Sequence, residues 1–294
     1  MPPKLVRLGD LTTVLRRHEH SPVHRRGQNF LVDGNVLEKI VAAALLSPDD
    51  TVLEIGAGAG ALTQALADLT RRVVAVEIDR RLGDILRQLF RDRDNIEIVV
   101  GDALRLPWSD LVSPEKTIVV ANLPYCLTTP LWTRLVESGF PRQVLMVQKE
   151  VAERAVANPA EPAYGAFTLF LAYHGRVEVV AKVPPTAFFP QPAVHSCIVR
   201  FTRHSSPLVT ADHALWQAVV RIAFRYRRKT LRRALAEGFA LPAHALAVHL
   251  RAVGLDPERR GETLSVQEFA AACRAVAAVR QAPDSADSVP EVER

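Results

Sequence analysis

The sequence is poor in cysteine and in long apolar runs, and each shortage excludes a class of protein. Its cysteines are Cys126, Cys197 and Cys273. An odd number so widely spaced fits neither a disulfide framework nor the ligand pattern of a zinc site, so we predict no metal centre. No apolar run approaches the roughly 20 residues that cross a bilayer, and the amino terminus lacks the apolar core of a signal peptide. We therefore expect a cytoplasmic protein with no membrane segment.

Composition indicates a large folded protein with a polyanionic partner. With 294 residues, of which 48% are hydrophobic, the chain can bury the core of one full-size domain and of a smaller one. The net charge is only +5, but the arginines lie in clusters, a distribution that favours a polyanion. No internal repeat is present, and no feature demands more than a monomer.

A glycine-rich turn between a strand and a helix is the first candidate ligand site. The apolar run 51–55 predicts a buried strand, and helical spacing follows at 61–69. Gly56, Gly58 and Gly60 lie between them. Glycines at such a turn allow a ligand to approach the backbone closely, near a helix amino terminus.

An acidic residue follows at the end of the next predicted strand, 72–78. This residue, Glu77, lies about 20 residues beyond the glycines, where a carboxylate can accept hydrogen bonds from two ribose hydroxyls. The pattern indicates a nucleoside-bearing cofactor. The loose fingerprint G-x-G-x-x-A that begins at Gly56 also fits NAD, which stays open at this point. Glu54 argues against NAD, because a carboxylate before the first glycine suits a cationic ligand better than a pyrophosphate.

Two more strand ends carry polar side chains. The run 96–100 predicts a third strand, and Asp102 follows it, where it either accepts a hydrogen bond from an adenine amino group or caps a turn. The run 117–120 predicts another buried strand that leads into Asn-Leu-Pro-Tyr at 122–125. An amide, exposed carbonyls and a ring at the carboxyl end of a strand suit a flat, amine-bearing substrate such as a nucleobase. An ordinary Asn-x-Pro turn is the alternative.

The alternation of strands and helices predicts an α/β fold with a doubly wound parallel sheet. Residues 130–136 are expected to form a helix and residues 143–147 a fifth strand. The runs 176–183 and 196–201 then follow with no helix between them. We therefore predict an antiparallel pair at one edge of the sheet.

Three segments are expected to lie outside regular structure. The loop 183–192 contains four prolines and presents Phe188 and Phe189, either to stack an unstacked base or as core anchors. Residues 1–26 are basic and irregular, and form either an arm that docks on a substrate or a solvated tail. Residues 281–294 read as a disordered tail.

Residues 27–203 are thus predicted to form the main domain, and residues 204–280 a small all-α domain with a basic surface. Apolar residues recur at helical spacing from 212 to 275, after a polar break. Within this region, basic residues follow one row of a predicted helix, which suits RNA phosphates or is a solvated face. The basic positions are Arg221, Arg225, Arg228, Lys229 and Arg232.

Together, these motifs resemble those of the ribosomal RNA adenine dimethyltransferases, in order from about residue 25 to about residue 270. The motifs are GQNFL at 27–31, EIGAG at 54–58, EID at 77–79, GD at 101–102, NLPY at 122–125, QKEVA at 148–152 and FFPQP at 188–192. The family has two branches: housekeeping enzymes of the small ribosomal subunit, and erythromycin-resistance methylases that act on large-subunit RNA. The segments that look like the housekeeping branch are AYG at 163–165, RRKTLR at 227–232 and RGETL at 260–264.

The resemblance implies S-adenosylmethionine as the cofactor. Glu77 would hold its ribose and Asp102 its adenine, and its sulfonium cation accounts for Glu54. The positions that match the cofactor-binding motifs are Gln28, Asn29, Leu31, Glu54, Gly56, Gly58, Gly60, Glu77, Ile78, Asp102, Ala103 and Asn122.

The resemblance also implies that Asn122 is the catalytic residue. Its side-chain oxygen and the Leu123 carbonyl would accept hydrogen bonds from the adenine N6 amine, while Tyr125 and Phe188 would stack the flipped base. The implied activity is dimethylation of two adjacent adenines near the 3′ end of small-subunit RNA, on an assembling subunit. Macrolide-resistance methylation of large-subunit RNA and a mainly binding role in ribosome assembly are the alternatives.

The chain departs from the family pattern at a few positions, none of which removes a catalytic group. These positions are Ala57, Cys126, His195 and Tyr226.

Overall fold

The computed structural model describes residues 5–22, 28–206 and 212–281, which form two compact units. The first unit contains the described residues up to 156 together with 174–205, and the second contains 157–173 and the described residues from 206 onwards. The predicted main domain, 27–203, had included 157–173. That segment joins the helical unit because Tyr164 and Leu169 are buried in its core, where the Tyr164 hydroxyl donates to the Leu264 carbonyl at 2.7 Å.

The chain alternates strands and helices through the first unit and is helical in the second. The helices are α1 (Leu8–Arg17), α2 (Gly34–Ala44), α3 (Ala61–Ala67), α4 (Arg80–Leu89), α5 (Trp108–Leu111), α6 (Thr128–Glu137), α7 (Lys149–Val156), α8 (Ala166–His174), α9 (His213–Arg225), α10 (Leu231–Phe239), α11 (Ala243–Ala252) and α12 (Val266–Gln281). The strands are β1 (Phe30–Leu31), β2 (Thr51–Ile55), β3 (Arg72–Glu77), β4 (Ile96–Val100), β5 (Thr117–Asn122), β6 (Arg142–Gln148), β7 (Gly175–Val183), β8 (Phe188–Phe189) and β9 (Ser196–Arg203).

A seven-stranded sheet in the order β4-β3-β2-β5-β6-β9-β7 organises the first unit. Strands β2 to β6 pair in parallel, whereas β9 runs antiparallel to both β6 and β7. The predicted doubly wound sheet and its antiparallel edge pair are therefore confirmed. The central parallel strands are almost completely buried, as their continuous apolar runs require when helices cover both faces.

The amino-terminal segment is the main departure from the predicted fold. Residues 1–26 were expected to be irregular, but α1 lies within them. Leu11, Val14 and Leu15 of this helix are buried in the core of the first unit, as is the preceding Leu5. Their i, i+3, i+4 spacing is the sequence signal that identifies the helix.

The second unit packs four consecutive helices, α9 to α12, around an apolar core. Trp216 and Phe224 contact the central Phe269 through their rings. The all-α prediction for this region is confirmed. The predicted tail, 281–294, falls almost wholly outside the described residues. No helix in the described part of the chain combines the length and apolar character that crossing a membrane requires.

Candidate cofactor and catalytic site

A pocket opens where the parallel strands β2 to β5 reach their carboxyl ends, the position at which open α/β sheets bind ligands. Its wall brings together all but one of the predicted cofactor-binding positions. They are Gln28, Asn29, Leu31, Glu54, Gly56, Gly58, Glu77, Ile78, Asp102, Ala103 and Asn122. The exception is Gly60, which lies outside the wall and caps the amino terminus of α3.

The glycine turn is tied directly to the acid at the end of β3. Glu77 accepts a hydrogen bond from the Gly58 N–H at 2.8 Å through Oε2, and from the Asp79 N–H at 2.9 Å through Oε1. Burial raises the pKa of Glu77, and the two backbone N–H groups oppose that rise. Because each carboxylate oxygen has two lone pairs, Glu77 keeps acceptor capacity for the hydroxyls of a ligand.

Glu54 is the most unusual group of the pocket. It is completely buried at the end of β2, and neither of its oxygens has a hydrogen-bond partner within the described residues. The Thr63 hydroxyl is near this carboxyl but forms no hydrogen bond of normal geometry with it. Burial raises the pKa of Glu54 to about 8; the polar groups of Thr63 oppose the rise, and the charge of Glu77 increases it. An orphaned buried carboxyl in a ligand pocket fits a cation and disfavours a pyrophosphate, so the pocket suits S-adenosylmethionine better than NAD.

The segment 28–31 forms one side of the pocket and is held at three points. Strand β1 pairs antiparallel with β8. The Gln28 side-chain amide donates to Asp79 Oδ2 at 3.4 Å, and Asn122 Nδ2 donates to the Asn29 carbonyl at 3.0 Å. The last of these bonds also orients Asn122, because only the nitrogen of an amide can donate to a carbonyl. Its Oδ1 therefore remains an acceptor.

The predicted catalytic motif, residues 122–125, continues from β5 into a 3-10 turn. The Leu123 N–H donates to the Met146 carbonyl at 3.2 Å, and the Leu123 side chain is buried. The Pro124 carbonyl accepts from the Thr128 hydroxyl and the Leu127 N–H. The Leu123 carbonyl, by contrast, has no donor among the described residues, as the predicted contact to a substrate amine requires.

The two rings that were predicted to stack on a base lie in different environments. Tyr125 is half-buried, its hydroxyl lies 2.6 Å from Ser196 Oγ, and burial raises the pKa of Tyr125. Phe188 was expected to be presented by its loop but is only 2% exposed, because its strand pairs with β1 and its ring enters the core. The ring of Phe188 supports the segment 28–31 and has no free face for a base.

Asp102 holds the turn that follows β4. Its Oδ1 accepts from the Leu104 N–H at 2.9 Å, and its Oδ2 lies 3.6 Å from Arg105 Nε. The turn-capping interpretation is therefore correct. Since Asp102 also lines the pocket, a carboxylate lone pair can serve a ligand as well.

The predicted basic stripe is divided by a helix break. Helix α9 ends at Arg225 and α10 begins at Leu231, so the basic residues do not share one helical row. The segment itself lacks acids, but residues further along the chain supply them. Lys229 pairs with Glu237, and Arg232 with Glu258 at 2.5 Å.

Three arginines of the predicted set make no ion pair within the described residues. Arg221 and Arg228 are exposed, and the exposed Arg225 lies over the Tyr226 ring with its Cζ 5.8 Å from the ring centroid. These three arginines are the part of the predicted surface that is free to contact phosphates.

Sequence reasoning missed several apolar residues of the pocket wall. Leu5 and Leu11 come from the amino-terminal segment, and Leu127 and Leu131 come from the region that follows Asn122. Helical spacing could have identified α1, but no local pattern indicates that this helix reaches the pocket.

The cysteines form no cluster. Cys126 is exposed, whereas Cys197 and Cys273 are buried, and all three are free thiols. Among the described residues, no group of three or more His, Cys, Asp or Glu side chains is arranged to hold a metal ion.

Comparison with known proteins identifies the family. The family model described as "Ribosomal RNA adenine dimethylase" matches residues 21–272. "Ribosomal RNA small subunit methyltransferase A" of Moorella thermoacetica is 42% identical over 278 residues, which cover 90% of this chain and 96% of that protein. The protein of the same name from Acidothermus cellulolyticus is 43% identical over 267 residues, 88% of this chain and 91% of that one.

Two solved structures share the fold over most of their length. A dimethyladenosine transferase from Plasmodium falciparum matches with a TM-score of 0.72 and 28% identity, covering 83% of this chain and 95% of that one. The 23S rRNA methyltransferase ErmE matches with a TM-score of 0.69 and 26% identity, covering 85% of this chain and all of that one. The chain therefore belongs to the ribosomal RNA adenine dimethylase family.

Proposed function

We propose that this protein uses S-adenosylmethionine to dimethylate N6 of two adjacent adenines near the 3′ end of small-subunit ribosomal RNA, as a cytoplasmic monomer acting on the assembling subunit. The observation that carries the proposal is the meeting of Glu54 and Asn122 in one pocket. The first is an unpaired buried acid suited to a cation, and the second offers an oriented amide oxygen to an amine.

S-adenosylmethionine supplies an electrophilic methyl group when it is bound. The glycine turn would leave room for it, Glu77 would accept hydrogen bonds from its ribose and Asp102 from its adenine, and Gln28 and Asn29 would close its methionine end. Buried apolar residues of the pocket wall, among them Leu11, Leu31 and Leu131, would help to exclude water around the bound cofactor.

Asn122 and the neighbouring backbone hold the substrate amine. The adenine N6 is a poor nucleophile because its lone pair is delocalised into the ring. Hydrogen bonds from N6–H to Asn122 Oδ1 and to the free Leu123 carbonyl favour a pyramidal nitrogen and direct its lone pair, with Tyr125 against the base. Positioning of the amine in line with the methyl group supplies most of the acceleration. No general base is needed before transfer, since the proton becomes acidic only once the nitrogen carries positive charge.

RNA binding is proposed for the helical unit. Arg221, Arg225 and Arg228 would contact phosphates without reading base sequence, whereas Lys229 and Arg232 contribute less because acids already pair with them.

The names of the two curated relatives favour a small-subunit substrate. Their sequences are 42% and 43% identical to this chain, whereas the sequence of the 23S rRNA methyltransferase ErmE is 26% identical. Incubation of the pure protein with labelled S-adenosylmethionine and undermethylated small subunits is expected to label the RNA near its 3′ end. Labelling confined to large-subunit RNA would refute the small-subunit proposal.

The Asn122→Ala variant separates catalysis from binding. We expect methylation to be lost, because the amide acceptor is removed, while S-adenosylhomocysteine still binds, though more weakly, because the bond from Asn122 to the Asn29 carbonyl is lost as well. A role limited to ribosome assembly predicts instead that Asn122→Ala leaves the cellular function intact. Loss of both methylation and assembly would argue against that second role.

A further inference from the structure

One arginine outside the pocket wall holds the turn that carries Asp102. Arg134, on α6, donates from Nη1 to the Ala103 carbonyl at 2.6 Å and from Nη2 to the Leu106 carbonyl at 2.5 Å. Ala103 lines the pocket beside Asp102. The guanidinium fork therefore spans the turn from its pocket end to its far end.

The other hydrogen bonds of this turn among the described residues are internal. Its internal bonds run from the Arg105 and Leu106 N–H groups to the Asp102 carbonyl, and from the Leu104 N–H to Asp102 Oδ1. These bonds set the shape of the turn but tie it to no other element. Arg134 is the side chain that attaches the carbonyls of the turn to a neighbouring helix.

Arg134 is itself held in place. Its Cζ lies 4.9 Å from the centroid of the Trp108 ring. Trp108 is buried and packs edge-on against Phe140, with ring centroids 6.4 Å apart. A planar cation stacked on a fixed ring loses little conformational freedom when it donates hydrogen bonds. The guanidinium of Arg134 is therefore already oriented toward the two carbonyls of the turn.

The helix that carries Arg134 begins directly after the catalytic motif. The Thr128 hydroxyl at the start of α6 donates to the Pro124 carbonyl at 3.2 Å, and Leu131, one turn before Arg134, lines the pocket. Helix α6 thus connects the segment that would hold the substrate amine to the turn that would hold the cofactor's adenine.

We propose that Arg134 is a positioning residue for adenine recognition. It acts through the backbone of the turn 102–106, whose placement determines whether Asp102 accepts from the adenine amino group of the cofactor. This inference rests on the proposed function, since it requires a cofactor that contains adenine. It assigns to α6 a part in cofactor selection that its sequence does not reveal.

The chain offers a matched control. Arg142, at the amino-terminal end of β6, also donates to two backbone carbonyls, those of Ala44 and Leu45, each at 3.0 Å. That end of the sheet is opposite the pocket, so the two arginines share a structural role and differ in what they hold. Arg134→Met and Arg142→Met remove the same guanidinium and keep a similar apolar stem.

The test compares two ligands by calorimetry: S-adenosylhomocysteine and its 6-deamino analogue, which carries hydrogen in place of the adenine amino group. The wild-type protein is expected to prefer the first by about tenfold, the usual effect of one hydrogen bond to a charged acceptor. In Arg134→Met this ratio should fall to about twofold or less, and in Arg142→Met it should stay at the wild-type value. Arg134→Lys, which can reach one carbonyl but not both, should give an intermediate ratio.

A loss of protein stability alone would weaken the binding of both ligands equally and leave the ratio of their affinities unchanged. A change in this ratio therefore reports the position of the turn and not the stability of the fold. A wild-type ratio in Arg134→Met would overturn the inference, as would an equal fall in Arg142→Met. If Arg134→Met does not fold, a wild-type ratio in Arg134→Lys overturns it instead. Failure of the wild-type protein to bind S-adenosylhomocysteine would refute the proposed function rather than the role of Arg134.

Discussion

Replacement of Glu54 by glutamine tests the central electrostatic feature of the site. In the free protein the carboxyl is completely buried and unpartnered, and its pKa is raised from 4.5 to about 8. A shift of that size corresponds to about 5 kcal/mol of disfavoured ionisation, as an upper estimate. At pH 7 Glu54 is therefore mostly protonated until a cation enters the pocket.

The sign of the stability effect follows from proton linkage. Below pH 4.5 the folded and unfolded chains both carry the proton, so Glu54 costs nothing. Between pH 4.5 and about 8 the unfolded chain ionises while the folded chain does not, and unfolding becomes easier by up to about 1.4 kcal/mol per pH unit. The Glu54→Gln variant should lack this part of the slope. Its absolute stability is less informative, because the glutamine buries an unpartnered amide of its own.

Cofactor binding gives the sharper measurement. If the sulfonium cation lies near Glu54, S-adenosylmethionine should displace the proton, so the wild-type protein should release about 0.9 proton per bound molecule at pH 7. S-adenosylhomocysteine, whose sulfur is neutral, should displace less. Calorimetry in two buffers of different ionisation enthalpy measures this proton count directly.

The matched control is Glu97→Gln, because Glu97 lies on the edge strand β4 of the same sheet, is half exposed and pairs with Arg72 at 2.6 Å. We expect this variant to release the same number of protons as the wild-type protein. Glu54→Gln should release almost none and should bind S-adenosylmethionine more weakly relative to S-adenosylhomocysteine. Equal proton release in the wild-type protein and Glu54→Gln would refute the assignment of Glu54 to the cation.

Two further variants test packing and RNA contact. Gly60→Ala should lower the free energy of unfolding by about 1–3 kcal/mol more than Gly139→Ala. Both glycines have positive φ, but a Cβ at Gly60 would lie 2.8 Å from Leu86 and Phe90, whereas Gly139 faces open space; equal losses in urea denaturation would contradict this explanation. Arg228→Glu should weaken RNA binding and reduce the slope of log K against log salt by about one, with a smaller change for the paired Arg232→Glu. An unchanged slope in anisotropy titrations would make Arg228 part of a solvated face.

The sheet could be predicted closely from the sequence. The bounds of β2 and β4 match the predicted runs, β3, β5, β7 and β9 differ from them by one or two residues at one end, and β6 is longer by one residue at each end. Buried strands leave this clear signal because their apolar runs are continuous and are interrupted at once by glycine, aspartate or asparagine. The location of the pocket could be predicted from these strands, because the carboxyl ends of parallel strands meet at one edge of the sheet.

The remaining features depend on contacts between distant segments, which local patterns do not encode. The pairing of β1 with β8 buries Phe188, and that pairing joins residues more than a hundred positions apart. The basic run looked like one helix because its spacing is helical, yet the chain turns at Tyr226 and restarts α10 with Thr230 as its amino-terminal cap. The acids that pair with Lys229 and Arg232 lie outside the segment as well.

The position of the glycine turn could be predicted from the sequence, but only part of the physical reason for its glycines could. Glycine was expected there so that a ligand could approach the backbone, and neighbouring protein atoms add a second requirement for it. A Cβ at Gly56 would lie 3.3 Å from the Asn122 carbonyl oxygen, and one at Gly58 would lie 3.1 Å from the Phe30 ring. The turn therefore needs glycine partly because the catalytic strand and the segment 28–31 close onto it. The residues that would bind the cofactor and those that would bind the substrate amine are thus packed against the same short stretch of backbone, which couples their positions before any ligand arrives.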